Sequence, residues 1–164
     1  VPSVLAMPSV KGLSTPIIVL AQSAVPAAIT GVTAESTLAT IAVPANALGP
    51  NGRLRIITVW SMTNNANAKT GRVRFSGIGG TAFLGVALAS AGADLSLTMI
   101  ANRGATNSQV GSVASGVAGS GASAPATAAV DTTAGTSLVL TAQLVVITDT
   151  VTLESYLVEL IPGV

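Results

Sequence analysis

The sequence predicts an all-β protein: an antiparallel, jelly-roll-like β-sandwich of about eight strands, preceded by an extended N-terminal arm. Short segments rich in Val, Leu, Ile and Thr recur at near-regular spacing, with turn signals between them. No segment has a convincing helical period of apolar residues. The chain has 164 residues, of which 49% are hydrophobic, and this suits one domain with a buried core.

Residues 1–26 form the predicted arm. Prolines at positions 2, 8, 16 and 26 exclude a long helix. The segment is apolar, whereas disordered tails are usually polar and charged, so we expect it to dock on neighbouring subunits. The alternative is that it packs on its own domain as an edge strand. The residues predicted to bind a partner are Val4, Leu5, Val10, Leu13, Ile17, Ile18, Val19 and Leu20.

The body, residues 27–164, begins with a series of short strands. The candidates span residues 37–43, 53–60, 72–75, 81–88, 93–100 and 109–113. Alternation assigns their faces, because successive side chains of a strand point to opposite sides. Leu54, Ile56 and Trp60 share one face of the second candidate. In the fifth candidate, Ala93, Leu95, Leu97 and Met99 lie opposite Asp94, Ser96 and Thr98.

The last third of the body contains a loop and the two strongest strands. Residues 111–129 are almost entirely Gly, Ala, Ser, Thr and Pro, a composition typical of a flexible loop. Residues 136–147 and 151–161 are rich in Val, Leu, Ile and Thr, which favours strands.

Several apolar residues fall on faces that a monomeric sandwich would expose to solvent. Simple alternation places Ile57, Val59, Val139, Val145 and Ile147 there. We interpret this as a sign of subunit contacts on the outer face. The alternative is that β-bulges reset the register and turn these residues inward.

The charges are few and are separated by sign along the chain. Charged residues make up 8% of the sequence, against about 25% in typical soluble domains. Basic residues cluster between positions 53 and 74, and acidic ones between 131 and 159. We interpret this separation as a sign that charges of opposite sign meet between subunits. The alternative is that they pair within the chain, worth ~0–1 kcal/mol per pair. The candidate inter-subunit charges are Arg53, Arg55, Arg72, Arg74, Asp149, Glu154 and Glu159.

The composition excludes several classes of function. The chain has no Cys and no His, which removes disulfides, thiol redox chemistry and His- or Cys-ligated zinc. A net charge of +1 offers no footprint for nucleic acid, and no run of about 20 apolar residues could span a membrane. Without His or a convincing carboxylate pair, we predict no catalytic, metal-binding or cofactor-binding residue, no cofactor and no small-molecule substrate. For sugar binding, Tyr156 is the candidate exposed ring, while Trp60 is predicted to be core.

Four stretches resemble small structural proteins of tailed bacteriophages. They are residues 41–55, Trp60 through Arg74 (WSMTNNANAKTGRVR), Ile100 through Val110 (IANRGATNSQV), and Asp149 through Leu160 (DTVTLESYLVEL). Proteins of this kind carry a small β-sandwich and occur as head decoration proteins, head fibres or tail-fibre domains. The arm and the loop at 111–129 lie outside the resemblance.

The resemblance implies a non-enzymatic virion protein, foremost a capsid decoration (cement) protein. Its partners would be itself, as a homotrimer, and the major capsid protein. Its place would be the capsid exterior of a virion assembled in the host cytoplasm. The alternative is a head- or tail-fibre domain that adheres to the host surface.

Overall fold

The computed structural model describes residues 16–112 and 124–163. Within these ranges the chain forms eleven strands and no helix, so none of the described residues belongs to a helix that could cross a membrane. The strands, in chain order, are β1 (Ile18–Ser23), β2 (Ala27–Thr30), β3 (Ser36–Val43), β4 (Arg53–Met62), β5 (Lys69–Phe75), β6 (Thr81–Ala87), β7 (Ala93–Asn102), β8 (Gln109–Gly111), β9 (Ala126–Ala128), β10 (Thr136–Leu144) and β11 (Thr150–Ile161).

The strands form two antiparallel sheets. The large sheet has the order β1-β11-β4-β7-β8-β9. Strand β2 also pairs with β11, on the same side as β1: β2 lies along Thr150–Leu153 and β1 along Tyr156–Leu160. The small sheet has the order β3-β10-β5-β6. Apolar residues from both sheets meet in one buried cluster, so the two sheets make a β-sandwich.

The pairing is that of a jelly roll. When β1 and β2 count as one interrupted strand and β8 and β9 are set aside, eight strands remain. They pair as nested partners from the outside inward: β2 with β11, β3 with β10, β4 with β7, and β5 with β6. Nested antiparallel pairs rolled into two sheets define this architecture. The predicted fold class is therefore confirmed.

The predicted loop at 111–129 is corrected at both ends. Gly111 is the last residue of β8, and Ala126–Ala128 form β9, which pairs with β8. Composition cannot reveal a strand this short, because its ladder partner rather than its own residues stabilises it. Positions 113–123 lie outside the described residues.

The core follows the predicted alternation. Leu54, Ile56 and Trp60 are fully buried between the sheets, as are Val73 and Phe75 from the small sheet. Trp60 is the largest of them, and it lies against Gly71 of β5, where an added Cβ would be 3.1 Å from the indole ring. Glycine at this point lets the two sheets approach each other.

The end of the predicted arm belongs to the large sheet. Ile18 lies opposite Leu160 and Ser23 lies opposite Tyr156, so β1 forms the edge beside β11. Residues 18–23 therefore pack on their own domain as an edge strand, which was the alternative to docking on neighbouring subunits. The boundary predicted at residue 26 falls just before β2, and residues 1–15 lie outside the described part of the chain.

Candidate interaction surface

Strand β7 has its leucines outside and its hydroxyls inside. Leu95 is 68% exposed and Leu97 is 42% exposed, while Ser96 and Thr98 are buried. The two sets lie on opposite faces as the sequence predicts, but the apolar set points away from the core. An antiparallel sheet with one solvated face normally has the reverse arrangement.

The leucines of β7 continue an apolar surface that crosses three strands. Ile57 of β4 lies opposite both Leu97 of β7 and Leu157 of β11, and Val59 lies opposite Leu95. Opposed residues of an antiparallel pair have Cβ atoms about 4.5–5.5 Å apart, so these side chains are in contact range. We call this surface the apolar face and define it as Ile57, Val59, Leu95, Leu97, Met99 and Leu157.

The register of β4 excludes bulging as the cause of the outward position of Ile57 and Val59, whereas a bulge in β11 between Leu153 and Ser155 sets the face on which Leu157 lies. The pairing of β4 with β7 runs without a shift from Arg53 to Ser61. Ile57 and Val59 therefore point outward by ordinary alternation. Of the other outward-predicted residues, Val145 and Ile147 are 65% and 57% exposed, but Val139 is 4% exposed.

The predicted partner-binding residues that the structure describes lie at the edge of the large sheet. Ile17, Ile18 and Val19 are 52%, 43% and 51% exposed, and Leu20 is half-buried. Exposed apolar residues on an edge strand are a known template for pairing with another chain. The other four, Val4, Leu5, Val10 and Leu13, lie outside the described residues.

Five of the seven candidate inter-subunit charges form ion pairs within the chain. On the outer surface of the large sheet, Arg55 Nε donates to Glu159 Oε2 at 2.5 Å. This hydrogen bond lowers the pKa of the Glu159 carboxyl. Arg55 and Glu159 thus pair within the chain, which was the alternative to contacts between subunits. The same holds for Arg72, Arg74 and Asp149. Arg53 is exposed, and Glu154 accepts a hydrogen bond from the Ser61 hydroxyl.

An ionic cluster closes the outer surface of the small sheet. Glu35 receives hydrogen bonds from Arg74 Nε at 2.6 Å and from Arg74 Nη2 at 2.7 Å, and Arg72 Nη1 lies 3.3 Å away. The Thr141 hydroxyl also donates to Glu35. The Arg74 hydrogen bonds are the main cause of the lowered pKa of the Glu35 carboxyl. Val139, the cross-strand neighbour of Arg74, is buried here.

Sequence reasoning missed the role of Glu35. It lies in the connection before β3, far along the chain from both arginines, and it carries no local signal. The arginines themselves were visible, since Arg72 and Arg74 alternate with the core residues Val73 and Phe75. The pairing of β10 with β5 brings Thr141 to the arginines, and the pairing of β10 with β3 brings Glu35 to them.

The ion pair of Lys69 and Asp149 is fully buried at one end of the sandwich. Lys69 Nζ donates to Asn65 Oδ1 at 2.7 Å and lies 3.7 Å from Asp149 Oδ2. Asn65 Nδ2 donates to Asp149 Oδ1 at 2.7 Å, and this bond lowers the pKa of the Asp149 carboxyl. The cluster ties the turn before β5 to the turn before β11, which is a structural role.

A shallow groove of about 340 Å³ adjoins the apolar face at the β1 edge. Its lining is Gln22, Ser23, Ala24, Tyr156 and Leu157. Tyr156, the ring singled out by the sequence, is half-buried here and packs partly against the core, so it is less exposed than the sequence predicts. The described residues contain no group of three or more His, Cys, Asp or Glu side chains that could hold a metal ion.

Comparisons with known proteins identify no family. No family model matches the chain, and no curated protein matches it. A solved structure of infectious bursal disease virus, Gx strain, is similar at 14% sequence identity, over 99% of this chain and 46% of that chain. Its TM-score of 0.28 is too low to indicate a shared fold.

Proposed function

We propose that this chain is a non-enzymatic structural protein of a virion, which works by associating with its own copies and with a larger protein shell. The observation that carries the proposal is the apolar face, where Leu95 and Leu97 point into solvent while Ser96 and Thr98 point into the core. Contiguous exposed apolar patches mark interaction sites. Neither nucleic acid, a membrane nor a small-molecule substrate is part of the proposal.

The finer proposal is a decoration, or cement, protein on the exterior of a tailed-phage capsid. Its support is the resemblance of the four stretches between residues 41 and 160 together with the jelly-roll pairing. The chain would be a homotrimer, and residues 1–15 would bind the major capsid protein. These residues are attached to an exposed apolar edge, since the chain enters β1 through Ile17 and Ile18.

The mechanism of such a protein is mechanical. Burial of apolar surface contributes about 25 cal/mol per Å², so a short apolar arm gives a modest free energy per copy. Many copies linked in one shell raise the effective concentration of each remaining contact, and the summed effect resists internal pressure without chemistry.

The test removes the arm while keeping β1. Capsids assembled without this protein are incubated with the full chain or with a chain that lacks residues 1–15, and occupancy is measured after sedimentation. We expect the truncated chain to remain folded, with Trp60 buried, and to leave the capsids unoccupied. Truncation at residue 26 is unsuitable, because it would remove β1 from the sheet.

A point-variant pair separates the apolar character of the arm from its length. Replacing its four apolar anchors by Ser should abolish occupancy, whereas replacing three serines by Thr should not. The first variant changes Val4, Leu5, Val10 and Leu13, and the control changes Ser3, Ser9 and Ser14. Full occupancy by the four-Ser variant contradicts the proposed role of the arm.

A second candidate function, host-surface adhesion by a fibre domain, is favoured by the groove beside Tyr156. A half-buried aromatic ring that lines a groove with the polar residues Gln22 and Ser23 is a suitable arrangement for a sugar. If adhesion is the function, the isolated protein binds glycans on an array and Tyr156→Ala abolishes the binding. A wild-type protein that binds no glycan removes this candidate.

A further inference from the structure

We infer that the apolar face is an interface between copies of this chain, so that a second copy covers Leu95 and Leu97 in the assembled protein. The inference deepens the proposed function, because it names the surface on which the proposed self-association rests. It concerns a different part of the molecule from residues 1–15, to which the proposed capsid contact is assigned.

The orientation of β7 is the first argument. Shifting the pairing of a strand by one residue exchanges its two faces, so a register that buried the leucines was geometrically available. The native register instead buries Ser96 and Thr98, and the Thr98 hydroxyl has no hydrogen-bond partner among the described residues. An inward hydroxyl without a partner and an outward leucine are both unfavourable in an isolated molecule. A partner that covers the leucines removes the cost of exposing them to solvent.

Charge is the second argument, and it selects the partner. The apolar face is flanked on β4 and β11 by Arg53 and Arg55 and by Glu154 and Glu159, and Arg103, which follows β7, is exposed. The charges on β4 and β11 cancel, so an identical face approaches these two strands without net repulsion. An anionic partner, such as nucleic acid or a lipid surface, would require a strongly basic face. The charges on this surface therefore favour a second copy over an anionic partner.

The path of the chain is the third argument, because it separates a second copy from the molecule's own arm. In β1, Ile18 lies opposite Leu160, and Ser23 lies opposite Tyr156. Followed toward its N-terminus, the chain thus runs away from the rows that contain Val59 and Leu95 and leaves the sheet at its other end. Among the described residues, β1 therefore does not lead over the face of its own molecule, and a second copy can cover this face without displacing that strand.

The test uses two matched pairs of substitutions in the full chain. Leu95→Glu with Leu97→Glu places charge on the face, and Val145→Glu with Ile147→Glu places the same charge on equally exposed apolar residues in the turn after β10. Mass is measured by light scattering on a sizing column. We expect the wild type and the turn variant to be oligomers of the 16.0 kDa chain and the face variant to be a monomer.

A labelling experiment keeps the inference testable if the face variant does not fold. The chain has no Cys, so Leu97→Cys and Ile147→Cys each introduce a single thiol. At a concentration where the wild type is an oligomer, the thiol at position 97 should react with maleimide at least tenfold more slowly than the thiol at position 147. Equal rates overturn the inference.

The outcomes distinguish this inference from the proposed function. A monomeric wild type, or an oligomer that survives both glutamates on the face, overturns the inference. An oligomer that dissociates only when residues 1–15 are removed also overturns it, because the arm is then the contact between copies. An oligomer held by the face that never binds capsids overturns the proposed function and leaves the inference standing.

Discussion

Replacement of Glu35 by Gln should destabilise the protein measurably, because it removes the charge that two arginines share. The Glu35 carboxylate accepts two hydrogen bonds from Arg74 and one from Thr141, with Arg72 at 3.3 Å. Hydrogen bonds to charged groups contribute about 1.5–3 kcal/mol each. The Gln carbonyl can still accept one of these hydrogen bonds. The side chains of Glu35 and Arg74 are 17% and 19% exposed, so solvent weakens the remaining interactions and lowers the energy that the substitution removes. We expect a loss of about 2 kcal/mol, which corresponds to about 4–8 °C in melting temperature for a chain of this size.

The loss should depend on pH in a defined direction. The pKa of Glu35 is lowered in the folded state, chiefly by Arg74, so its contribution to stability is fully present above the unfolded carboxyl pKa of about 4.3. The contribution disappears as the pH falls through the lower folded pKa. The difference between the wild type and Glu35→Gln should therefore be largest near pH 7 and shrink toward pH 3.

The assay is denaturant unfolding followed by the fluorescence of Trp60, the only tryptophan, at fixed protein concentration between pH 3 and 7. Glu154→Gln is the matched control: its carboxylate accepts a hydrogen bond from Ser61 on the other sheet, and we expect a change within about 0.5 kcal/mol. A Glu35→Gln loss below about 0.5 kcal/mol at pH 7, or one that is equal at pH 3 and pH 7, would refute the assigned role of the cluster.

Two further pairs of variants test the packing and the buried hydroxyls. Gly111→Ala should cost about 1–3 kcal/mol, because its Cβ would lie 2.3 Å from the Phe83 ring, whereas Gly92→Ala meets no atom within 4 Å and should be nearly neutral. Thr98→Val should be neutral or slightly stabilising, since the Thr98 hydroxyl has no partner among the described residues. Thr132→Val should cost about 1–3 kcal/mol, because its hydroxyl accepts from Asn102 at 2.9 Å and donates to the Thr106 carbonyl at 2.7 Å. Unfolding free energies of the four variants check both pairs, and a costly Gly92→Ala or Thr98→Val contradicts the reasoning.

Strand existence and strand faces were predictable from this sequence where alternation is local. Leu54 and Ile56 alternate with Arg53 and Arg55, Trp60 continues the same period of two, and all three apolar residues are buried as predicted. The short strand β9 was not predictable, because only Thr127 of its three residues favours a strand and β9 pairs only with the equally short β8. The division of the first strand into β1 and β2, both paired to β11, likewise depends on tertiary contacts.

The interaction surface was only half predictable. Alternation identified Ile57 and Val59 as outward apolar residues, and it separated Leu95 and Leu97 from Ser96 and Thr98. It did not show which set of β7 faces the core, since hydrophobicity alone favours burying the leucines. The orientation follows from the register with β4, where Trp60 is buried and its neighbours on the same strand must point outward. Register is a property of two strands, so one strand's sequence cannot contain it.

The two sheets of this jelly roll differ in whether their outward-facing apolar residues are covered within the molecule. Each sheet has apolar residues at positions that alternation directs away from the core. On the small sheet, Glu35 reaches over β5 and β10 to Arg74 and Thr141, and Val139 is buried in the same molecule. On the large sheet, no described segment reaches over Leu95 and Leu97, and the Arg55–Glu159 pair lies beside them rather than above them. Among the strand residues that the structure describes, the exposed large apolar side chains lie on the large sheet, in β1 and β7. In the proposed assembly the large sheet faces the neighbouring copy and the Glu35 cluster faces away from it, so the Glu35 variants should measure the stability of the subunit rather than of its contacts.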